Sequence, residues 1–320
     1  MKRREVLSLL ATAALSPLAA RSGEADRPPR VGTLLANSAE RERQIFGDDP
    51  FGLRDFGYFE GKNILIERRF ADGHIDRLPA LADELVALNV DLIFAGGEAA
   101  YAAHQATSTI PIVAVGAGEL VKEGLVMSLA HPGGNVTGVT FASPEYYGKR
   151  LELLKRIVPS LKRAGVVGLE GQWGSHDFDV MDPYAKAQAI ELERIEVAGK
   201  DYAAALAAAG SVDGLVSIDR GQLFGDAALI SSLAIERRLP LVGHSFFATQ
   251  GALIGYGANV QALFRQAGGV ADKILKGVKP GDIPVEIASR FETIVNLKTA
   301  KALGLEIPPE VLAAAAGVIE

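Results

Sequence analysis

The chain contains no cysteine among its 320 residues. This absence excludes disulfide bonds in any compartment, and it also excludes a lipid-modified N-terminal cysteine. Beyond the N-terminal region there is no apolar run of the roughly 20 residues that a membrane-spanning helix requires. We therefore expect a globular protein without a lipid anchor and without stable membrane insertion once the N-terminal segment has been removed.

Clusters of basic residues are also lacking. The chain has 33 Lys and Arg against 39 Asp and Glu, which gives a formal charge of −6. Residues 1–22 contain four basic residues and one acidic residue, so their removal would lower the charge to −9. Nucleic-acid binding depends on clustered Lys and Arg that neutralise phosphates. The composition therefore argues against a nucleic-acid partner.

The sequence shows no pattern for a metal or a cofactor. Its histidines are scattered and no two lie four residues apart on one helix: His74, His104, His131, His176 and His244. The acidic loops at 48–49 and 177–182 lack the calcium-loop spacing with its central glycine and terminal glutamate. We expect neither a metal site nor a cofactor.

Two near-motifs for enzymes fail at a decisive position. In the stretch GAGELV at 116–121, Val121 stands where the third glycine of a dinucleotide fingerprint belongs. In GHSFF at 243–247, Phe247 replaces the closing glycine of a nucleophile elbow, whose strained turn does not accommodate a Cβ. No acid and base lie at a spacing that would indicate a catalytic pair, so the sequence predicts that the protein is not an enzyme.

The first 22 residues have the layout of a secretory signal peptide. Basic residues at positions 2–4 precede an apolar stretch at 6–20 and a small-residue region at 19–22. Pro17 interrupts the stretch, which is too short for a membrane anchor, the alternative interpretation. The Arg3-Arg4 pair suggests twin-arginine export, although Sec export stays open. We expect cleavage and a periplasmic location.

From residue 30 onward, short β-branched or apolar runs alternate with segments of helical period, which is typical of a parallel sheet built from βαβ units. The predicted strands include 31–35, 64–70, 91–95, 110–115 and 136–141, and later 165–169, 194–197, 214–218, 240–243, 252–256 and 294–296. The predicted helices include 41–56, 99–107, 185–192, 202–209, 226–237 and 262–275. A Pro-Gly-Gly turn at 132–134 and a Ser-Pro helix start at 143–144 separate two similar halves. The fold class is therefore α/β with two Rossmann-like lobes, for which we predict that residues 30–141 and about 244–275 form lobe 1. Residues 142–243 and about 276–320 then form lobe 2.

Four segments carry a resemblance to a known family. They are LAHPGGNVTGVT at 129–140, YGAN at 256–259, ILKGVKP at 274–280 and VNLKTAKALGLEIPP at 295–309. The sequence resembles the substrate-binding proteins of ABC transporters, and the resemblance covers essentially the whole chain after the signal peptide. The resemblance implies a type I periplasmic binding protein, whose two lobes are joined by hinge strands and close on a small solute. The better-understood members of the family take up aromatic amino acids.

The predicted ligand-binding residues follow the strands of the two lobes, because ligands of open α/β sheets bind at the carboxyl ends of strands. In lobe 1 they are Asn37, Ser38, Gly97, Glu98, Gly118 and Glu119. In lobe 2 they are Gln172, Trp173, Asp219, His244 and Ser245. If the ligand is an amino acid, Asp219 is a candidate partner for its ammonium group, and the N–H groups of Gly97 and its neighbours are candidates for its carboxylate. An ordinary turn aspartate is the other interpretation of Asp219, and Trp173 either stacks on a ligand or packs on the lobe.

The resemblance implies the periplasmic binding component of an ABC uptake transporter, working with a membrane permease. A sensory ligand-binding module is the alternative. The sequence does not identify the ligand, since positions 119–120 and 170–173 differ from the family's usual pattern.

Overall fold

The computed structural model describes residues 27–46, 49, 51–117, 120–141, 145–171 and 177–320. The predicted signal peptide at 1–22 and the predicted helix start at 143–144 lie outside the described residues. Strands and helices alternate along the chain, as the periodicity predicts. The order of elements begins with a strand and returns to a strand after almost every helix.

The strands are short and mostly buried, which suits their near-continuous apolar sequences. They are β1 Arg30–Leu35, β2 Leu65–Phe70, β3 Leu92–Gly96, β4 Ile112–Ala117, β5 Val136–Thr140, β6 Arg163–Leu169, β7 Glu191–Val197, β8 Gly214–Ser217, β9 Leu241–Gly243, β10 Ile254–Ala258, β11 Glu286–Ile287, β12 Phe291–Asn296 and β13 Gly317–Ile319.

The helices lie between the strands and cover the sheets. They are α1 Ala39–Phe46, α2 Leu78–Ala87, α3 Ala99–Ala106, α4 Glu145–Ile157, α5 Asp177–Ala187, α6 Tyr202–Ala208, α7 Gly221–Gly225, α8 Ala227–Glu236, α9 Ser245–Thr249, α10 Val260–Leu275, α11 Leu297–Leu303 and α12 Pro309–Ala313. Short 3₁₀ turns occur at Leu53–Phe56, Ile75–Arg77 and Pro280–Asp282.

The strands form two separate sheets, and each sheet has its own hydrophobic core. The first has the order β11-β5-β4-β3-β1-β2 and the second β13-β12-β10-β9-β8-β6-β7. Among the described pairings only β10 and β12 run antiparallel. Helices cover the first sheet on both faces, with apolar clusters that contain Leu34 and Ile93 on one side and Val31 and Phe94 on the other. The predicted two-lobe α/β fold is confirmed.

The chain passes between the lobes three times, and these crossing segments are bonded to one another. It leaves the first sheet after β5, returns from β10 to α10, and leaves again from β11 to β12. The Asn259 N–H donates to the carbonyl of Arg290 at 2.8 Å, and the Ala288 N–H donates to the carbonyl of Thr140 at 2.9 Å. These bonds join all three crossings into one narrow hinge.

The boundaries between the lobes that are predicted near residues 244 and 276 lie later in the chain in the structure. The prediction placed residues 244–275 in lobe 1 and 276–320 in lobe 2. In the structure, β10 belongs to the second sheet through its pairing with β9 and β12, and only α10 packs on the first sheet. Strand β11 belongs to the first sheet through its pairing with β5. Strand partners are set by contacts distant in sequence, which local periodicity does not report.

The predicted helix at 41–56 is wrong in its extent. Helix α1 ends at Phe46, and a separate 3₁₀ turn occupies Leu53–Phe56. Between them Gly52 has a left-handed φ of 60°, and a Cβ there would lie 2.7 Å from the Cα of Arg265 on α10. The close approach of α10 requires glycine and a break in the helix at this position.

Candidate functional site

The carboxyl ends of the strands in the two sheets face each other across a cleft, and the lobes touch along it. The carboxylate of Glu98, which follows β3, accepts a hydrogen bond from the N–H of Gly221 at 3.1 Å. The guanidinium of Arg41 on α1 donates to the carbonyl of Gly225 at 2.6 Å. Both bonds join the first lobe to helix α7 of the second. The lobes are therefore in contact at α7.

Asp219 follows β8 at the carboxyl end of the second sheet and forms a bidentate ion pair with Arg150. The two guanidinium nitrogens Nη1 and Nη2 of Arg150 each donate to one carboxylate oxygen of Asp219 at 2.9 Å. The side chain of Arg150 is fully buried, and that of Asp219 is 5% exposed. Bidentate pairing fixes the orientation of the carboxylate as well as its charge.

Arg150 connects three elements of the second lobe through its remaining donors. Its Nε donates to the carbonyl of Tyr256 on β10 at 2.8 Å, and Nη1 also donates to the carbonyl of Ser217 at 3.1 Å. Burial alone would lower the pKa of the guanidinium, but the charge and hydrogen bonds of Asp219 outweigh it, so the pKa is raised. Arg150 therefore stays charged and holds Asp219 in place.

Two tyrosines complete the surroundings of the ion pair. The guanidinium of Arg150 lies 4.9 Å from the ring centroid of Tyr146 and 5.3 Å from that of Tyr147. The hydroxyl oxygen of Tyr147 accepts a hydrogen bond from the backbone N–H of Asp219 at 3.1 Å. Both the side chain and the backbone of Asp219 are thus held by helix α4.

His244 is fully buried behind the cleft wall. Its ring lies 4.9 Å from the ring centroid of Phe224 and 5.7 Å from that of Phe141. Nδ1 accepts the N–H of Phe246 at 3.4 Å, which assigns the ring proton to Nε2, and Nε2 has no partner among the described residues. Burial is the main cause that lowers the pKa of His244 to about 4. The negative charge of Asp219 acts to raise this pKa, and the positive charge of Arg150 acts to lower it further. The imidazole is therefore neutral near pH 7.

Half-buried aromatic rings stand where the two lobes meet. Phe141 leaves β5 at the hinge, Phe224 lies on α7, and Tyr146 lies on α4 beside the ion pair. These rings stay partly exposed, whereas His244 beneath Phe141 and Phe224 does not. The cleft thus combines apolar rings with the carboxylate of Asp219. Such a surface suits a small solute that carries both an apolar group and a positive charge.

The comparison with known families decides what kind of cleft this is. Residues 49–319 match the model of the family described as ABC transporter substrate binding protein. The chain is a member of this family. It is therefore a substrate-binding protein of the ABC transporter family and not an enzyme, as the failed motifs predict. Proteins of this family are usually extracytoplasmic.

Individual relatives support the assignment of this chain to the family. A protein from Clostridioides difficile strain R20291, named a tyrosine-binding protein, is 31% identical over 261 residues, which cover 79% of this chain and 74% of the relative. A domain protein from Vibrio cholerae has a similar structure, with 27% identity, a TM-score of 0.81, and coverage of 91% of this chain and 100% of that one.

Two further structures differ in ligand state. An ABC domain from Streptococcus pneumoniae in complex with L-Trp has 25% identity, covers 91% of this chain and 99% of that one, and gives a TM-score of 0.84. A ligand-free, open substrate-binding protein from Clostridium difficile has 27% identity and the same coverages but a TM-score of 0.65. The fold of this chain therefore superposes more closely on the complex than on the open structure. The architecture is the predicted type I periplasmic binding protein fold.

The predicted role of Gly97 is corrected by its backbone bond. Its N–H donates to the carbonyl of Val115 at 3.0 Å, so it extends the sheet and is not directed at a ligand carboxylate. Gly97 has a left-handed φ of 53°, and a Cβ there would meet nothing within 4 Å. This glycine serves the turn between β3 and α3. Its neighbour Glu98 contacts the other lobe through Gly221.

The other predicted ligand-binding residues that the structure describes differ in their contacts. Asn37 is buried and faces Gly225 of the second lobe. The hydroxyl of Ser38 accepts the N–H of Arg41 at 3.3 Å and so caps α1. Ser245 is 2% exposed and lies 3.3 Å from Nδ1 of His244, behind the wall rather than on it. Gly118, Glu119, Gln172 and Trp173 lie outside the described residues. That these residues contact a ligand stays a prediction.

Sequence reasoning missed Arg150, although a signal for it exists. Position 150 lies three residues after Tyr147 and four before Leu154, on the buried face of α4. A charged residue on an apolar helix face requires a buried partner of opposite charge. The pattern therefore calls for a buried ion pair, but it does not say that Asp219, 69 residues later, supplies the partner.

Glu42 is a second missed residue. It is 6% exposed on α1, and its carboxylate accepts hydrogen bonds from the side-chain amide and the backbone N–H of Asn37. Oε2 has no partner among the described residues. Burial raises the pKa of Glu42 to about 7, and the bonds from Asn37 oppose this only in part. Glu42 therefore lies beside Asn37 near the lobe contact.

The raised pKa of Glu42 predicts a pH-dependent stability. Because the folded-state pKa lies above the unfolded value of 4.5, the folded chain holds the extra proton between these values, and stability is lost as pH rises through about 7. Glu42→Gln carries no charge. It should match the wild-type stability near pH 4 and exceed it by up to about 3 kcal/mol near pH 9. Urea unfolding at both pH values measures this difference, and Glu40→Gln, exposed on the same helix, is the control. An equal effect of Glu42→Gln at both pH values would contradict the assignment.

Two further features bear on partners of the chain. No helix in the described ranges is both long and apolar enough to cross a membrane. No group of three or more His, Cys, Asp or Glu side chains in the same ranges is arranged to hold a metal ion.

Proposed function

We propose that this protein is the periplasmic solute-binding component of an ABC importer and that it captures an aromatic L-amino acid between its lobes. The observation that carries the proposal is the position of Asp219, whose charge acts on Tyr146 and on His244, the ring that Phe141 and Phe224 contact. The tyrosine-binding relative and the structure in complex with L-Trp support the same solute class.

Asp219 supplies the acceptor for the ligand ammonium. Each carboxylate oxygen accepts one bond from Arg150 and retains a further lone pair. An ammonium group at this position gains a charge-assisted hydrogen bond in a partly dry wall. Arg220, whose Nη1 donates to the carbonyl of Asp219 at 3.0 Å, supplies positive charge in the same wall for the ligand carboxylate.

The aromatic side chain of the ligand packs against the rings at the lobe junction. Phe141 directly follows β5 of the first sheet and Phe224 lies on α7 of the second lobe, so a ligand between them contacts both lobes. A ligand that touches both lobes favours their closed arrangement, because it binds that arrangement more tightly than the open one. A permease of the inner membrane then recognises the closed form.

A thermal-shift screen tests the solute class. The chain without residues 1–22 is heated with aromatic, branched and acidic amino acids, sugars, purines and small carboxylates. Ligand at about 100 times its dissociation constant adds about 2.7 kcal/mol of stability, which raises the melting temperature by about 5 °C. We expect this shift with L-tyrosine, L-tryptophan or L-phenylalanine. A shift confined to sugars or purines would contradict the proposed class.

A further inference from the structure

Helix α7 of the second lobe touches the first lobe. It has only five residues, Gly221–Gly225, and carries a glycine at each end. Leu223 is buried in the core of the second lobe, so the helix is anchored there. Its outer surface lies against the loops that follow β1 and β3 of the first lobe.

A Cβ at either glycine would lie within 3.0 Å of a side-chain oxygen of the first lobe, so that side chain would have to move away from its position in the docked arrangement. A Cβ at Gly225 would lie 2.4 Å from Oδ1 of Asn37, which is closer than real Cβ atoms approach an oxygen. A Cβ at Gly221 would lie 2.8 Å from Oε2 of Glu98 and 3.3 Å from the Cβ of Ala36. The obstructing atoms all belong to the other lobe.

The backbone of α7 does not itself require glycine. Neither Gly221 nor Gly225 has a positive φ, so alanine fits the helix without strain. The N–H of Gly221 and the carbonyl of Gly225 are bonded across the cleft to Glu98 and Arg41. The absence of side chains at 221 and 225 therefore serves the contact between lobes and not the local fold.

We propose that α7 is the docking element of lobe closure, and that Gly221 and Gly225 are positioning residues that set ligand affinity. The inference rests on the proposed function, since it concerns the closed state that the ligand selects. Phe224 lies within the same short helix, so docking of α7 also fixes the ring that faces the ligand. A methyl group at either glycine obstructs the closed arrangement and leaves the open one unchanged. The closed, binding-competent state is then less populated, so the apparent affinity for the ligand falls.

The first test is the ligand affinity of Gly225→Ala. We expect the variant to bind an aromatic amino acid at least tenfold more weakly, with the change in the dissociation rate. Without ligand, its melting temperature should stay within about 1 °C of that of the wild type. Gly134→Ala is the matched control, because a Cβ there meets nothing within 4 Å and φ is not positive. In an Asn37→Ala background, which removes the obstructing amide, the loss on Gly225→Ala should shrink. A loss of equal size in both backgrounds, or wild-type affinity for Gly225→Ala, would overturn the proposal.

A second test reports docking without any ligand. The chain has no cysteine, and Nη1 of Arg41 in the first lobe lies 3.4 Å from Oε1 of Gln250 in the second lobe. The double substitution Arg41→Cys with Gln250→Cys should be crosslinked by a short bismaleimide, which reaches both thiols only when the lobes dock. Adding Gly225→Ala should slow this reaction severalfold, and Gly134→Ala should not. Equal rates would overturn the role of α7. Slower crosslinking together with no binding of any aromatic amino acid would reject the proposed ligand and leave the docking role in place.

Discussion

Arg150→Met is expected to destabilise the fold by about 3–5 kcal/mol, because it leaves the carboxylate of Asp219 in a buried wall without its partner. The substitution also removes the donors to the carbonyls of Tyr256 and Ser217, which hold β10 and β8 to α4. Methionine fills much of the volume of the arginine stem, so the loss reports the charge and hydrogen bonds. Urea unfolding measures it.

Two variants separate this effect from a general loss of charge. Arg68 pairs with Glu60 on the surface, where the two side chains are 36% and 47% exposed, so Arg68→Met should change stability by less than about 1 kcal/mol. Replacing both charges, as Arg150→Met with Asp219→Leu, should recover part of the loss. Stability of Arg150→Met within 1 kcal/mol of the wild type would contradict the buried ion pair.

The second large effect concerns the ligand ammonium. N-acetyl-L-tyrosine is expected to bind at least about 100-fold more weakly than L-tyrosine, because acetylation removes the charge that pairs with Asp219. Removal of one partner from a buried, hydrogen-bonded charge pair commonly weakens binding by about 2–5 kcal/mol. Isothermal titration calorimetry of the chain without residues 1–22 gives both affinities.

A smaller analogue provides the control for the bulk of the acetyl group. 3-(4-Hydroxyphenyl)propionate lacks the ammonium group and adds no atoms near Asp219. It should bind as weakly as the acetylated compound if charge pairing is the cause. Tight binding of the propionate together with weak binding of N-acetyl-L-tyrosine would show a steric effect only, and would reject Asp219 as the ammonium partner.

Much of the fold follows from local sequence patterns. Apolar β-branched runs such as the one at 112–115 form buried strands because both faces of the sheet are covered by helices. Asn37 and Glu98, which follow β1 and β3, contact the second lobe at Gly225 and Gly221, since carboxyl ends of parallel strands in both lobes point toward the same gap. That these residues and Asp219 contact a ligand stays a prediction. The family resemblance of the C-terminal motifs is confirmed by the match over residues 49–319.

The contacts that complete the cleft could not be predicted in this way. Asp219 was interpreted as either a turn residue or a ligand partner, and its pairing with Arg150 depends on packing across 69 positions. The bond from Gly221 to Glu98 spans 123 positions and exists only because two sheets meet. The burial of His244 depends on Gly257, where a Cβ would lie 2.4 Å from the imidazole Cδ2. None of these contacts produces a periodic pattern in the sequence.

The most direct test of the central claim is calorimetric titration of the chain without residues 1–22 with L-tyrosine, L-tryptophan and L-phenylalanine. The account predicts that at least one binds with a 1:1 stoichiometry, a dissociation constant at or below about 1 µM, and a negative change in heat capacity from the burial of its ring. Folded protein that gives no binding heat at several temperatures with any of the three up to about 1 mM would contradict it.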